Sequence, residues 1–170
     1  TMSKEKRNFV DVLENAKKLG YAESNPLSDL NGDDVAAKLK ILSSLCFNSF
    51  IDNNIHVEGI RSIDMLDIDN ANRLGYKIKL LGVSEIINNK IYQRVHPTLI
   101  KKSSYIASID GVLNAVIVDG KPVGQNVIQG EGAGPEATTS ALISDISSIL
   151  RGNIKFPFSI SSKERKKLAY

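Results

Sequence analysis

The stretch YKIKLLGVSEIINNKIYQRVHPTLI, residues 76–100, decides the fold class. Tyr76, Ile78 and Leu80 alternate with Lys77 and Lys79, the period of a half-buried strand over Tyr76–Ile87. Asn88-Asn89-Lys90 is turn chemistry, and Ile91–Ile100 returns as the partner strand. A second hairpin follows: Val112–Val118, a turn at Asp119-Gly120-Lys121-Pro122, then Val123–Ile128. Asp-Gly between apolar runs is a strong reversal signal.

Helical patterns flank these strands. Residues 3–19 place Phe9, Val12, Leu13, Ala16 and Leu19 on one side, with Gly20 as the terminating residue. A loop over Tyr21–Asn31 contains the turn-favouring Asn25-Pro26. The pattern predicts a helix over Asp33–Asn48, capped by Asn31 or Asp33, with Val35, Leu39, Leu42 and Cys46 as its apolar stripe. Ile55–Ile60 alternates as a strand. Ser62 is positioned to cap a short helix reaching Arg73, with Gly75 ending it. Gly130–Gly134 leads into a helix to about Leu150, with Leu142, Ile146, Ile149 and Leu150 as its stripe. Helices, then antiparallel strands, then a helix make an α+β domain: an antiparallel or mixed sheet with helices packed on one face. Residues 1–152 read as that domain and 153–170 as a linker, or a lead into a further domain. No internal repeat is visible.

The 170 residues suffice for a sizeable core, and 42% hydrophobic with 24% charged content is that of a globular chain. A net charge of +3 is too small to argue for nucleic acid. Its excess sits largely in Lys163, Arg165, Lys166 and Lys167, with no interleaved aromatic platform. One cysteine excludes an internal disulfide framework and fits a reducing compartment; Cys46 reads as core. With no membrane-length apolar run and no signal-peptide pattern, the expectation is a soluble, cytoplasmic protein.

The stretch from Ala16 to Lys38, AKKLGYAESNPLSDLNGDDVAAK, concentrates chemistry. On a helical wheel Lys38 falls about 60° from Val35, at the edge of the apolar stripe near Leu42 and Leu45. Asp34 lies one turn before it on the same flank. Spacing alone makes the two a surface ion pair worth a few tenths of a kcal/mol. The apolar neighbours open a second reading: a lysine partly removed from water and steered by a carboxylate is acid–base equipment. Glycine-rich Gly130–Gly134 offers either a tight strand-to-helix turn or close backbone approach to an anion at a helix N-terminus. It is neither GxGxxG nor a P-loop. His56 and His96 lack partners at ligand spacing, so no metal site is visible.

Ala16, Gly20, Tyr21, Asn25-Pro26, Asp29-Leu30, Gly32, Asp34 and Lys38, at these spacings, resemble the signature of homoserine dehydrogenase. The similarity continues through Glu58-Gly59-Ile60, Asp67-Ile68, Leu74-Gly75-Tyr76, Ile78–Gly82, Val95-His96-Pro97, Asn114-Ala115-Val116 and Gly132-Ala133-Gly134. Together these span residues 16 to about 150. The resemblance implies the NAD- or NADP-linked interconversion of L-homoserine and L-aspartate 4-semialdehyde, a step feeding threonine, methionine and isoleucine synthesis. It implies Lys38 as the acid–base residue and Asp34 as its orienting partner. Glu23 would hold the substrate's α-ammonium, with Tyr21 and Asp29 lining the pocket. Gly20 and Gly134 would approach the nicotinamide through backbone. A homodimer or higher assembly is also implied, with no nucleic-acid or membrane partner. The family's dinucleotide-binding unit is expected upstream, where nothing here matches it, so the chain alone is expected not to transfer hydride. The rival expectation is a non-catalytic ligand-binding or oligomerisation module derived from the same fold.

Overall fold

The computed structural model describes residues 2, 7, 9–19, 25–49, 51, 55–132 and 134–152. Their elements are α1 (Phe9–Lys18), α2 (Leu27–Asn31), α3 (Asp33–Cys46), β1 (His56–Val57), α4 (Met65–Arg73), β2 (Tyr76–Ile87), β3 (Lys90–Lys101), α5 (Tyr105–Ser108), β4 (Leu113–Gly120), β5 (Gly124–Glu131) and α6 (Pro135–Leu150). The architecture is α+β. A mixed sheet has the order β1-β3-β2, with β1 parallel to β3, and β4-β5 form a separate antiparallel pair. Two compact units divide the chain: Thr1–Pro26 with Arg61–Lys79 and Thr98–Arg151, and Leu27–Ile60 with Leu80–Pro97 and Gly152–Tyr170.

The long hairpin forms as its alternation predicts. Asn88 and Asn89 both take positive φ, 50° and 60°. That is the two-residue turn whose twist matches antiparallel strands, and asparagine tolerates it better than most residues. The second hairpin turns later than expected, at Lys121–Val123, with Gly124 at φ 81° restarting the strand. Its register runs from Leu113↔Glu131 to Gly120↔Gly124.

In the unit holding Leu27–Ile60, β1 is shorter than the expected Ile55–Ile60, and Pro97 explains why. His56 pairs with Arg94 and Val57 with Val95, and the Glu58 amide still donates to the Val95 carbonyl at 2.8 Å. The next parallel bond would need an amide hydrogen at residue 97, which proline lacks. The chain instead turns away, and the Ile60 amide donates to the Leu30 carbonyl at 2.9 Å. Val95 is fully buried beside β1. Helix α3 packs on the sheet through Val35 and Leu39 over Gly82, and Gln93 Nε2 donates to Ser43 Oγ at 2.9 Å.

This packing corrects the expected orientation of α3. Its buried residues are Ala36, Ser43 and Ser44, whereas Leu42, Leu45 and Cys46 are exposed. Two small hydroxyl side chains take buried positions, Ser43 against the sheet and Ser44 against the segment at Ile51, because each finds a partner. Ser43 accepts from Gln93; Ser44 Oγ donates to the Lys40 carbonyl at 2.7 Å and accepts from the Ile51 amide at 3.2 Å. Cys46 is therefore not core.

In the other unit, α4 starts at Met65 and not after Ser62. Asp64 is its N-cap: its side chain accepts from the Asp67 amide while Asp67 accepts from the Asp64 amide. This reciprocal capping box outcompetes a lone serine two residues earlier. Gly75 follows at φ 82°, as expected of a terminating glycine. Lys77 and Lys79 are not a solvated strand face. Both are partly buried and both hold Asp110, each at 3.1 Å. Their ammonium groups also donate to the carbonyls of Ala107 and Ile109. Leu19 of the first helical pattern is exposed, and so are Leu142, Ile146, Ile149 and Leu150 of α6. An apolar stripe is buried only where a partner surface exists, and no residue of α6 is buried among the described residues. Arg7 is described and is not helical, so α1 begins later than the expected residue 3; residues 3–6 and 8, the Gly20 stop and the segment after Gly152 lie outside the described residues.

Candidate active site

Three glycines set the start and seat of α3. Gly32, not Asn31 or Asp33, is the N-cap, at φ 87° with no side-chain capping bond. It lets the chain turn between α2 and α3: its amide donates to the Asp29 carbonyl at 3.3 Å and its carbonyl accepts from Ala36 at 3.0 Å. A side chain there would press on Val57 and Val95, at 3.1 and 3.2 Å. Gly59 lies against the end of α2, where a β-carbon would strike the Leu30 carbonyl and stand 2.6 Å from Asn31 Cα. At Gly82 a β-carbon would meet Val35 at 3.1 Å and Leu39 at 3.4 Å, so α3 rests on nearly bare backbone.

From this seat Asp34 and Lys38 point away from the sheet. Lys38 Nζ contacts Asp34 Oδ2 at 2.7 Å, and their side chains are 62% and 39% exposed. The expected pairing is present. The expected half-burial of Lys38 is not, because α3 turns the opposite flank to the sheet. Exposed Ile41, Leu42 and Leu45 share the lysine's flank on the helical wheel. Asp33 and Asp34 both stand in the first helical turn, where backbone amides favour negative charge. A pair this open contributes at most a few tenths of a kcal/mol. Its consequence is a bias in direction: the carboxylate favours, without locking, one orientation of the ammonium.

Asp29 is exposed in the first turn of the short α2. Gly134 is the N-cap of α6 at φ 111°, followed by Pro135, with open space where a β-carbon would stand. Gly20, Tyr21 and Glu23 lie outside the described residues. His56 is exposed, and His96 is half-buried with Nδ1 3.0 Å from the Pro97 carbonyl. Among the described residues no group of three or more His, Cys, Asp or Glu side chains is placed to hold a metal ion. No described helix is long and apolar enough to cross a membrane. Sequence reasoning missed the clasp of Lys77, Lys79 and Asp110. Two lysines two apart in the otherwise apolar first half of β2 are its only trace.

The family model for homoserine dehydrogenase matches residues 1–147. The chain belongs to the homoserine dehydrogenase family. It is 45% identical over 144 residues to the homoserine dehydrogenase of Neisseria gonorrhoeae, covering 84% of this chain and 33% of that protein. To the Pseudomonas aeruginosa homoserine dehydrogenase it is 41% identical over 157 residues, covering 92% and 36%. Among solved structures, the homoserine dehydrogenase from Thiobacillus denitrificans superposes with a TM-score of 0.83 at 42% identity, covering 92% of this chain and 36% of that one. The chain thus spans about a third of the length of the curated homoserine dehydrogenases it matches.

Proposed function

We propose that this chain is the substrate-binding catalytic domain of an NAD- or NADP-dependent homoserine dehydrogenase, interconverting L-homoserine and L-aspartate 4-semialdehyde. The observation that carries this is the 2.7 Å pair of Lys38 and Asp34 on the open flank of α3, within the family-matched segment. In the reductive direction Lys38 gives a proton to the carbonyl oxygen as it becomes a hydroxyl; in the oxidative direction it takes that proton back. Asp34 steers the ammonium. Glu23 holds the substrate's α-ammonium, and Tyr21 and Asp29 line the pocket, so that orientation lowers the entropic part of the barrier. A bound nicotinamide supplies or accepts the hydride. The bare backbone at Gly134, heading a 16-residue helix, fits close approach of such a group, and Gly20 is assigned the same part. The resemblance further supports a cytoplasmic homodimer or higher assembly acting in threonine, methionine and isoleucine synthesis.

In the full-length enzyme, Lys38→Ala is expected to lower turnover by about 100-fold or more, the scale of a lost proton-transfer group. The 62% exposure of Lys38 favours one rival, in which the pair is a plain surface contact on a non-catalytic binding or oligomerisation module. Near-native turnover in Lys38→Ala would remove the acid–base role. No homoserine oxidation by the wild-type full-length protein would select the module.

A further inference from the structure

Asparagine is depleted in strands, so Asn114 near the head of β4 needs a local reason. Its ladder partner is Gly130, and the last pair of the ladder is Leu113↔Glu131. Gly132 is therefore the first residue free of the sheet, two before the Gly134 that starts α6. The Val112 carbonyl accepts from the Gly132 amide at 3.2 Å and from Asn114 Nδ2 at 3.5 Å. The Asn114 side chain lies directly over Gly132, where a β-carbon would overlap its amide group and stand 3.2 Å from its own Cβ. One carbonyl and one side chain thus fix the path by which the backbone leaves β5.

We propose that Asn114 is a positioning residue: it clamps Gly132 and so sets the glycine turn that presents the start of α6 to the dinucleotide. This rests on the function proposed above. It assigns Asn114 no contact with substrate or cofactor; it acts through the turn.

The test uses the full-length enzyme and the variants Asn114→Ala, Gly132→Ala and their double. In Asn114→Ala the Michaelis constant for NAD or NADP is expected to rise about 10-fold, equivalent to about 1.4 kcal/mol of lost cofactor binding. That for homoserine stays unchanged. Amide hydrogen exchange in a peptide spanning residues 130–138 should quicken in this variant, while peptides from α3 keep their wild-type rates. Because the two residues touch, the double variant should be no worse than the poorer single. Additive losses, unchanged exchange at 130–138, or faster exchange with an unchanged dinucleotide constant would each overturn the proposal. A wild-type protein that fails to oxidise homoserine would overturn the proposed function, whereas exchange would still decide whether Asn114 holds the turn.

Discussion

The chemistry proposed for Lys38 depends on residues that carry no functional group. Gly32, Gly59 and Gly82 each occupy a place where a side chain would collide, strain or lift α3, and only their type could announce this in the sequence. Asp34 and Lys38 were legible as a pair because i and i+4 spacing is local. Their exposure was not, since it depends on which flank the sheet covers, and that was decided by Ser43 and Ser44 finding partners at Gln93 and Ile51. Gly59 gives the sharpest prediction at this scale. Its missing β-carbon faces backbone, not a flexible tip, so relief requires moving α2. Gly59→Ala should destabilise the chain by about 1–3 kcal/mol, the range for forced overpacking, read as a lower midpoint in urea.

At the level of elements, the hairpins and the amphipathic helices follow from periodicity, and their ends follow from capping. β2 is legible at both boundaries because Gly75 ends the helix before it, alternation starts at Tyr76, and Asn88-Asn89 supplies the turn after it. β1 is shorter than its local pattern because its length is set by Pro97, a residue of another strand, which no local pattern can report. α4 starts after Asp64 and not after Ser62 because the winning cap is a reciprocal pair, one member of which alone carries little weight in a sequence. Asp64→Ala, which removes half of that box, should cost about 1 kcal/mol of stability by thermal or urea unfolding. Ser62→Ala should leave stability within about 0.5 kcal/mol of wild type, as a surface substitution outside the cap.

Across the whole molecule, the family and the α+β class are readable in the residues, whereas the choice between an antiparallel and a mixed sheet, the separation of the β4-β5 pair and the surface left open are not. Leu142, Ile143, Ile146, Ile149 and Leu150 of α6 are more than half exposed. Apolar surface of this kind in one helix invites association. The isolated chain should therefore bind a hydrophobic dye in its native state, and Ile146→Asp with Leu142→Lys should sharply reduce that signal without lowering the unfolding midpoint. The seat of α3 on Gly82 carries a consequence of another kind. A methyl group there would act as a shim beneath the helix, asking Val35 to give by a few tenths of an ångström while meeting Leu39 at ordinary contact distance. Lys38 rides on the same helix, so the chemistry proposed for it is open to detuning from beneath, with Lys38 and Asp34 both intact.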